Sequence, residues 1–373
     1  MPEYFATVAR GLESLAAQEL ERLGAERVMP AFCGVEFWGT RELLYRTNLW
    51  SRLSFRILQV LSKFPCSKAD SLYKGVQAVD WRDSLPPDRS FAVRATGKTK
   101  ALNHSHFTAL QVKNAIVDWQ RQHWGERSDV DTQNPDLWIN VHLHREVCTL
   151  SLDSSGNSLH RRGYRPAVGK APLKETLAAA LIELSEWQPE VAFLDPLCGS
   201  GTLPLEAALV GLNVPPGSFR ERFGFETWTD FDRQLWERLL SEAATGRQPL
   251  AAPIAGSDRD PEIVAQALTN ARSSGLDQHI DFACRELADV EPISDRGVII
   301  CNPPYGERVG DRQRLGQFYK LLGDVFKQRF KGWKAYVLSG NKELALSIGL
   351  KSSRRVPILN GAIACQFLEY ELY

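Results

Sequence analysis

The run Val298-Ile299-Ile300-Cys301-Asn302-Pro303-Pro304-Tyr305-Gly306 constrains this chain more than any other stretch. Its apolar start reads as a strand buried on both faces, as in a parallel sheet covered by helices. Two consecutive prolines then end the strand, because neither has an N–H for a ladder and each disfavours helix in the residue before it. Asn302 is thereby held at the carboxyl end of a buried strand, where open α/β sheets bind ligands. The amide oxygen of Asn302 and the carbonyl of Pro303 are acceptors suited to the hydrogens of one exocyclic NH2, and Tyr305 offers a face to a planar ring. A planar amine is the implied substrate. A simple strand-ending turn would use the same residue types, so the motif gains meaning from what lies upstream.

Upstream, Val191-Ala-Phe-Leu-Asp195-Pro196-Leu-Cys-Gly199-Ser-Gly201-Thr202 precedes a helix predicted over Leu203 to Gly211. Strand, glycine turn and helix make a nucleotide-binding layout in which the backbone approaches a ligand closely. No Gly-Lys-Ser/Thr follows, and the acid comes before the glycines. A carboxylate there repels a pyrophosphate but suits a ligand with an ammonium group, such as the methionine end of S-adenosylmethionine (SAM). A second strand, Ile254 to Asp258, ends in an acid able to accept both ribose hydroxyls, while Asp260 caps the helix starting at Pro261. A third, Ile280 to Cys284, leads to Glu286, placed to accept from an adenine amine, with Asp289 as the competing acid. Three acids at three consecutive strand ends are hard to explain as helix caps alone.

A chain of 373 residues is expected to hold two or three domains. Its 45 basic and 45 acidic residues balance, so a nucleic-acid partner must meet a local patch. Seven scattered cysteines without a Cys-x-x-Cys suggest neither a disulfide framework nor a zinc site, and no metal is expected. With no signal-like start and no apolar window long enough for a membrane span, the expected compartment is the cytoplasm. The first sixty residues alternate as βαββαβ, the order of a ferredoxin-like unit. Two stretches lack acids entirely. Arg89 to Val117 carries Arg94, Lys98 and Lys100, and Ser154 to Lys174 carries Arg161, Arg162, Tyr164 and Arg165. Both are expected to attract phosphate, the second as a latch in which Tyr164 stacks on a base. His104 and His106 read as surface or capping residues. The insert Val214 to Arg247 reads as a helical cover beside the helix after the glycine turn, with Trp228 and Trp236 in its core.

Asp195-Pro-Leu-Cys-Gly-Ser-Gly-Thr together with Asn302-Pro-Pro-Tyr resembles the class I SAM-dependent methyltransferases that act on planar amino groups. His160-Arg-Arg-Gly-Tyr-Arg followed by Ala171-Pro-Leu-Lys-Glu-Thr-Leu-Ala resembles a narrower family, the THUMP-domain RNA guanine-N2 methyltransferases, whose bacterial members include large-subunit ribosomal RNA enzymes. The resemblance implies an α/β protein with a ferredoxin-like unit over 1–55, a THUMP RNA-binding domain over 56–155 and a Rossmann-like methyltransferase domain over 156–373. It implies SAM as cofactor, with Asp195, Pro196, Gly199, Gly201 and Thr202 on its methionine and ribose side, Asp258 on the ribose, Glu286 on the adenine and Pro172 over it. Asn302, Pro303 and Tyr305 would be catalytic, with Asn302 also against the cofactor. Structured RNA is the implied partner, ribosomal before transfer RNA, held by Arg94, Lys98, Lys100, Arg161, Arg162, Tyr164 and Arg165. Two departures stand out: Glu286 is longer than the Asp common there, and Cys301 replaces a Phe or similar residue. Relatives with Asn-Pro-Pro-Tyr act on adenine N6 in DNA or on protein glutamine, and a non-catalytic RNA-binding assembly protein is the remaining alternative.

Overall fold

A computed structural model describes residues 1–166, 173–306 and 312–373. The chain forms two compact units, one of residues 1–8, 16–159 and 220–240, the other of residues 9–15, 160–219 and 241–373. Among the described residues no helix is long and apolar enough to cross a membrane.

The first unit is built on one seven-stranded sheet. In chain order its elements are β1 (Glu3–Thr7), α1 (Glu13–Arg22), β2 (Glu26–Ala31), β3 (Gly34–Trp38), α2 (Arg41–Trp50), β4 (Arg56–Pro65), α3 (Ala69–Gln77), β5 (Phe91–Gly97), α4 (Ser105–Trp124), β6 (Leu137–His144) and β7 (Val147–Asp153). The spatial order is β2-β3-β1-β4-β7-β6-β5. The ferredoxin-like βαββαβ ends in β4, whose other edge pairs antiparallel with β7, so the sheet continues through the 55/56 boundary expected from sequence. Local chemistry sets the ends of these elements. The Thr40 hydroxyl accepts from the Leu43 amide to start α2, and Nδ1 of His104 accepts from the Phe107 amide to start α4, the capping role expected of it. Arg145 and Glu146 both take positive φ, giving the tight turn between β6 and β7. The apolar positions of α4 divide: Val112, Ala115, Ile116 and Trp119 are buried, whereas Phe107 and Leu110 are 43% and 42% exposed.

Residues 220–240 belong to this unit although they come from the catalytic half of the sequence. Phe225 stacks on Tyr45 of α2 with ring centroids 4.3 Å apart, and Trp236 meets Phe225 edge-on at 5.1 Å. Trp228 and Trp236 are core residues, as expected. That core is the one around α2, not a cover on the helix after the glycine turn, because the aromatic partners of the segment lie on α2.

The second unit contains α5 (Glu175–Leu184), β8 (Ala192–Asp195), α6 (Thr202–Gly211), β9 (Ile254–Asp258), α8 (Pro261–Ser273), β10 (Ile280–Cys284), β11 (Gly297–Cys301), α9 (Arg312–Arg329), β12 (Lys334–Ser339), α10 (Lys342–Ser347), β13 (Arg354–Asn360) and β14 (Ile363–Glu371). The helix α7 (Arg233–Thr245) precedes β9. Its sheet runs β10-β9-β8-β11-β12-β14-β13. The first five of these strands are parallel; β14 pairs antiparallel with β12 and forms a hairpin with β13. All five residues of β11 are buried, which accounts for its unbroken apolar run. Strand order reverses on either side of β8, and a crevice forms at such a switch point.

Candidate active site

The carboxyl ends of β8, β9, β10 and β11 open onto one cleft of about 820 Å³. Of the residues expected at the site, Asp195, Pro196, Gly199, Thr202, Asp258, Glu286, Asn302, Pro303 and Tyr305 line it together. Asp289 is absent from this lining, so Glu286 is the acid that faces the cleft. Gly201 is absent as well, and its part is steric. It takes φ +86° at the start of α6, where a Cβ would stand 2.9 Å from the Phe282 ring. Pro172 lies outside the described residues.

The glycine turn is pinned from several sides. The Cys198 amide donates to the Ser257 carbonyl at 2.8 Å, and the Gly199 amide donates to Oδ2 of Asp258 at 3.2 Å. Asn270 donates to the Ser200 carbonyl at 3.0 Å from a buried position. Asp258 also accepts the Asp260 amide on Oδ1 at 3.1 Å, while Asp260 caps α8 by accepting from Glu262. Asp258 thus shapes the turn and still presents lone pairs to the cleft. Asp195 is 2% exposed and accepts the Leu197 amide at 3.0 Å. Burial pushes its carboxyl well above the ordinary carboxylate range, with the charge of Asp258 adding to the rise. A cationic ligand reverses that penalty, since an opposite charge nearby favours the ionised form.

At the other end of the cleft the acceptor amide is oriented by its neighbours. The Tyr305 hydroxyl donates to Oδ1 of Asn302, and in turn accepts from Nδ2 of Asn360, at the end of β13, at 3.3 Å. Burial holds the Tyr305 phenol far above its ordinary pKa, so it keeps its proton and remains a donor. Its ring packs on Gly340, where a Cβ would approach Cδ2 to 2.9 Å. The hydroxyl of Tyr305 is therefore tied into the site, a role its aromatic face alone did not suggest. Cys301 is fully buried behind Asn302, so the smaller side chain leaves the acceptors in place.

Four of the cations and aromatics expected to hold RNA are committed elsewhere. Arg162, 2% exposed, pairs with the fully buried Glu206, and the Tyr164 hydroxyl donates to the same carboxylate at 2.7 Å. Arg165 donates to the Leu173 carbonyl, to Glu175 and to the Ser200 hydroxyl at 3.0 to 3.1 Å, with its side chain 6% exposed. Arg94 donates to Asp153 and the Gly156 carbonyl and lies over the Trp138 ring at 3.3 Å. Burial lowers its pKa to about 10. Arg94 and Arg162 meet acids from distant parts of the sequence, and Arg165 meets Glu175 just past the end of its acid-free run, pairings that a scan for such runs does not detect. Lys98, Lys100 and Arg161 are exposed. The cleft also carries Arg259, Arg285, Arg314, Phe318 and Asn360, none of which the sequence motifs marked.

A mostly parallel sheet of this order, with an acid-tipped cleft at its switch point, is the architecture of a class I methyltransferase. A protein described provisionally as a methyltransferase and crystallised with S-adenosylhomocysteine superposes over 100% of this chain and 98% of its own, with a TM-score of 0.91 and 32% identity. The chain belongs to the RMKL-like methyltransferase family, whose domain model matches residues 162–369; a THUMP domain model matches residues 66–153 and an RlmL ferredoxin-like domain model residues 3–58. A Synechocystis sp. protein described provisionally as an RNA methyltransferase is 54% identical over 371 residues, covering 99% of this chain and 97% of its own. The ribosomal RNA large subunit methyltransferase K/L of Methylococcus capsulatus is 42% identical over 378 residues. This chain spans about half of that relative, 51% of its length. SAM is the methyl donor of the family, and the donor set here fits it: carboxylates at three strand ends, one of them buried and in want of a cation.

Proposed function

We propose that this chain transfers the SAM methyl group to the exocyclic N2 amine of a guanosine in structured RNA, with large-subunit ribosomal RNA as the substrate. The observation that carries the reading is the shared cleft, in which the Asn302 amide faces the same space as Asp195, Asp258 and Glu286. The K/L relatives, named for large-subunit ribosomal RNA, support the RNA class, as does the THUMP match.

SAM supplies an electrophilic methyl on its sulfonium. Asp195 would pair with the ammonium end, Asp258 would accept the ribose hydroxyls and Glu286 would accept the adenine amine. Oδ1 of Asn302 has a lone pair beyond the one used by Tyr305, and with the Pro303 carbonyl it holds the two amine hydrogens. The nitrogen lone pair then points across the cleft toward the cofactor end. Holding the reactants in line is worth several kcal/mol, on the order of 7 or more in well-aligned cases. Once the nitrogen becomes cationic its proton is acidic, so no strong base is required. Lys98, Lys100 and Arg161 remain the exposed cations assigned to RNA.

Comparing modified nucleosides by mass spectrometry in ribosomal RNA, transfer RNA and DNA from cells with and without the gene tests this. Loss of N2-methylguanosine from large-subunit RNA alone is expected. Loss of methyladenine from DNA, or no nucleoside change, would overturn it.

A further inference from the structure

Three arginines line the cleft without a role in the chemistry above: Arg259, Arg285 and Arg314. All are exposed, and among the described residues none of their guanidinium groups makes a hydrogen bond or ion pair. Arg259 follows Asp258 and Arg285 precedes Glu286, so both stand at the cofactor end. Arg314 stands elsewhere, in the first turn of α9. Two contacts lock this part of α9 to the Asn302 loop. The Tyr319 hydroxyl donates to the Pro304 carbonyl at 3.2 Å, and a Cβ on Gly306 would stand 2.8 Å from Cδ1 of Leu315. Arg314 and Phe318 are four residues apart, hence on one helix face, and both line the cleft beside Asn302.

We propose that this face of α9 is the wall that receives the target nucleotide: Arg314 binds a backbone phosphate beside the methylated residue, and Phe318 packs against the extruded base. The inference rests on the RNA reading above. Its physical basis is charge. The cleft is tipped with Asp195, Asp258 and Glu286, which suit a cationic cofactor but repel a phosphodiester entering beside it. The Arg314 guanidinium, without a partner among the described residues, offsets that repulsion at the acceptor end, where the backbone must come closest. Arg94, Arg162 and Arg165, expected to grip RNA, are paired with acids of the fold, so the cleft-lining arginines are unpaired positive charges, among the described residues, beside the chemistry. A base taken out of its stack also needs a new apolar face, and Phe318 is half-buried at the same wall.

The test is binding of deproteinised bacterial ribosomal RNA to the full chain across about 50 to 200 mM KCl, for wild type, Arg314→Ala, Arg314→Lys and Phe318→Leu. Arg314→Ala is expected to reduce the slope of log K against log[salt] by about one, with binding several-fold weaker and SAM affinity by calorimetry unchanged. Arg314→Lys should retain the slope, and Phe318→Leu should weaken RNA binding about tenfold at an unchanged slope. An Arg314→Ala slope equal to wild type overturns the proposal while leaving the RNA reading intact. A loss of SAM affinity with the RNA slope unchanged also overturns it, assigning Arg314 to the cofactor carboxylate. A wild-type chain that binds no RNA overturns both readings.

Discussion

At the scale of the residue, the site turns on how one amide is held. An asparagine amide has two ends of nearly equal shape, and only the oxygen can accept from an amine. The Asn360–Tyr305–Asn302 chain fixes which end faces which way, because Asn360 occupies the Tyr305 lone pair and leaves its proton to Asn302. Asn302→Ala should therefore leave SAM affinity intact and abolish turnover, while Tyr305→Phe, which keeps the aromatic ring, should lower kcat about tenfold. That factor corresponds to about 1.4 kcal/mol, within the ordinary range for one hydrogen bond. Single-turnover kinetics with calorimetric SAM binding reads both variants. A Tyr305→Phe enzyme with wild-type kcat would restrict the residue to stacking.

Elements bring these residues together, and they also show where a local reading of the sequence stops. Strand ends were legible because prolines, glycines and terminal acids are local signals: Asp195, Asp258 and Asn302 stand where those signals put them. The shared partner of Arg162 and Tyr164 was not, since Glu206 lies on α6, some forty positions later, and an acid-free run says nothing about acids that fold against it. Arg165 is the sharper case. It bridges the start of α5, through Leu173 and Glu175, to Ser200 in the glycine turn, so it positions the turn. Arg165→Met leaves Glu175 buried without its partner, which costs about 3 kcal/mol. For a unit of this size that is a Tm lower by roughly 6 to 12 °C in calorimetry. Ser200→Ala, which keeps the ion pair, should raise the KM for SAM at nearly unchanged Tm. An Arg165→Met protein with wild-type Tm and a shallower salt slope for RNA would return this arginine to the nucleic-acid surface.

For the whole molecule, the order of elements along the chain misleads about which residues fold together. A cut near position 155 looks natural in sequence, between β7 and the start of the SAM-binding half. It separates Tyr45 from Phe225 and Trp236, which the chain supplies only after α6 and which complete the core around α2. An aromatic side chain buries about 150 to 250 Å², so losing Phe225 and Trp236 forfeits roughly 7 to 13 kcal/mol at about 25 cal/mol per Å². That matches the whole stability of an average domain, about 5 to 15 kcal/mol. A fragment of residues 1–159 should accordingly unfold without a cooperative transition and bind a hydrophobic dye, whereas the same fragment joined through a flexible linker to residues 220–240 should recover a cooperative melt. The first unit then owes its independence to a segment borrowed from within the catalytic half, and any THUMP-only piece tested for RNA binding must carry that segment. A cooperative melt of residues 1–159 alone, at the temperature of the linked form, would show instead that the aromatic segment only decorates a core already complete.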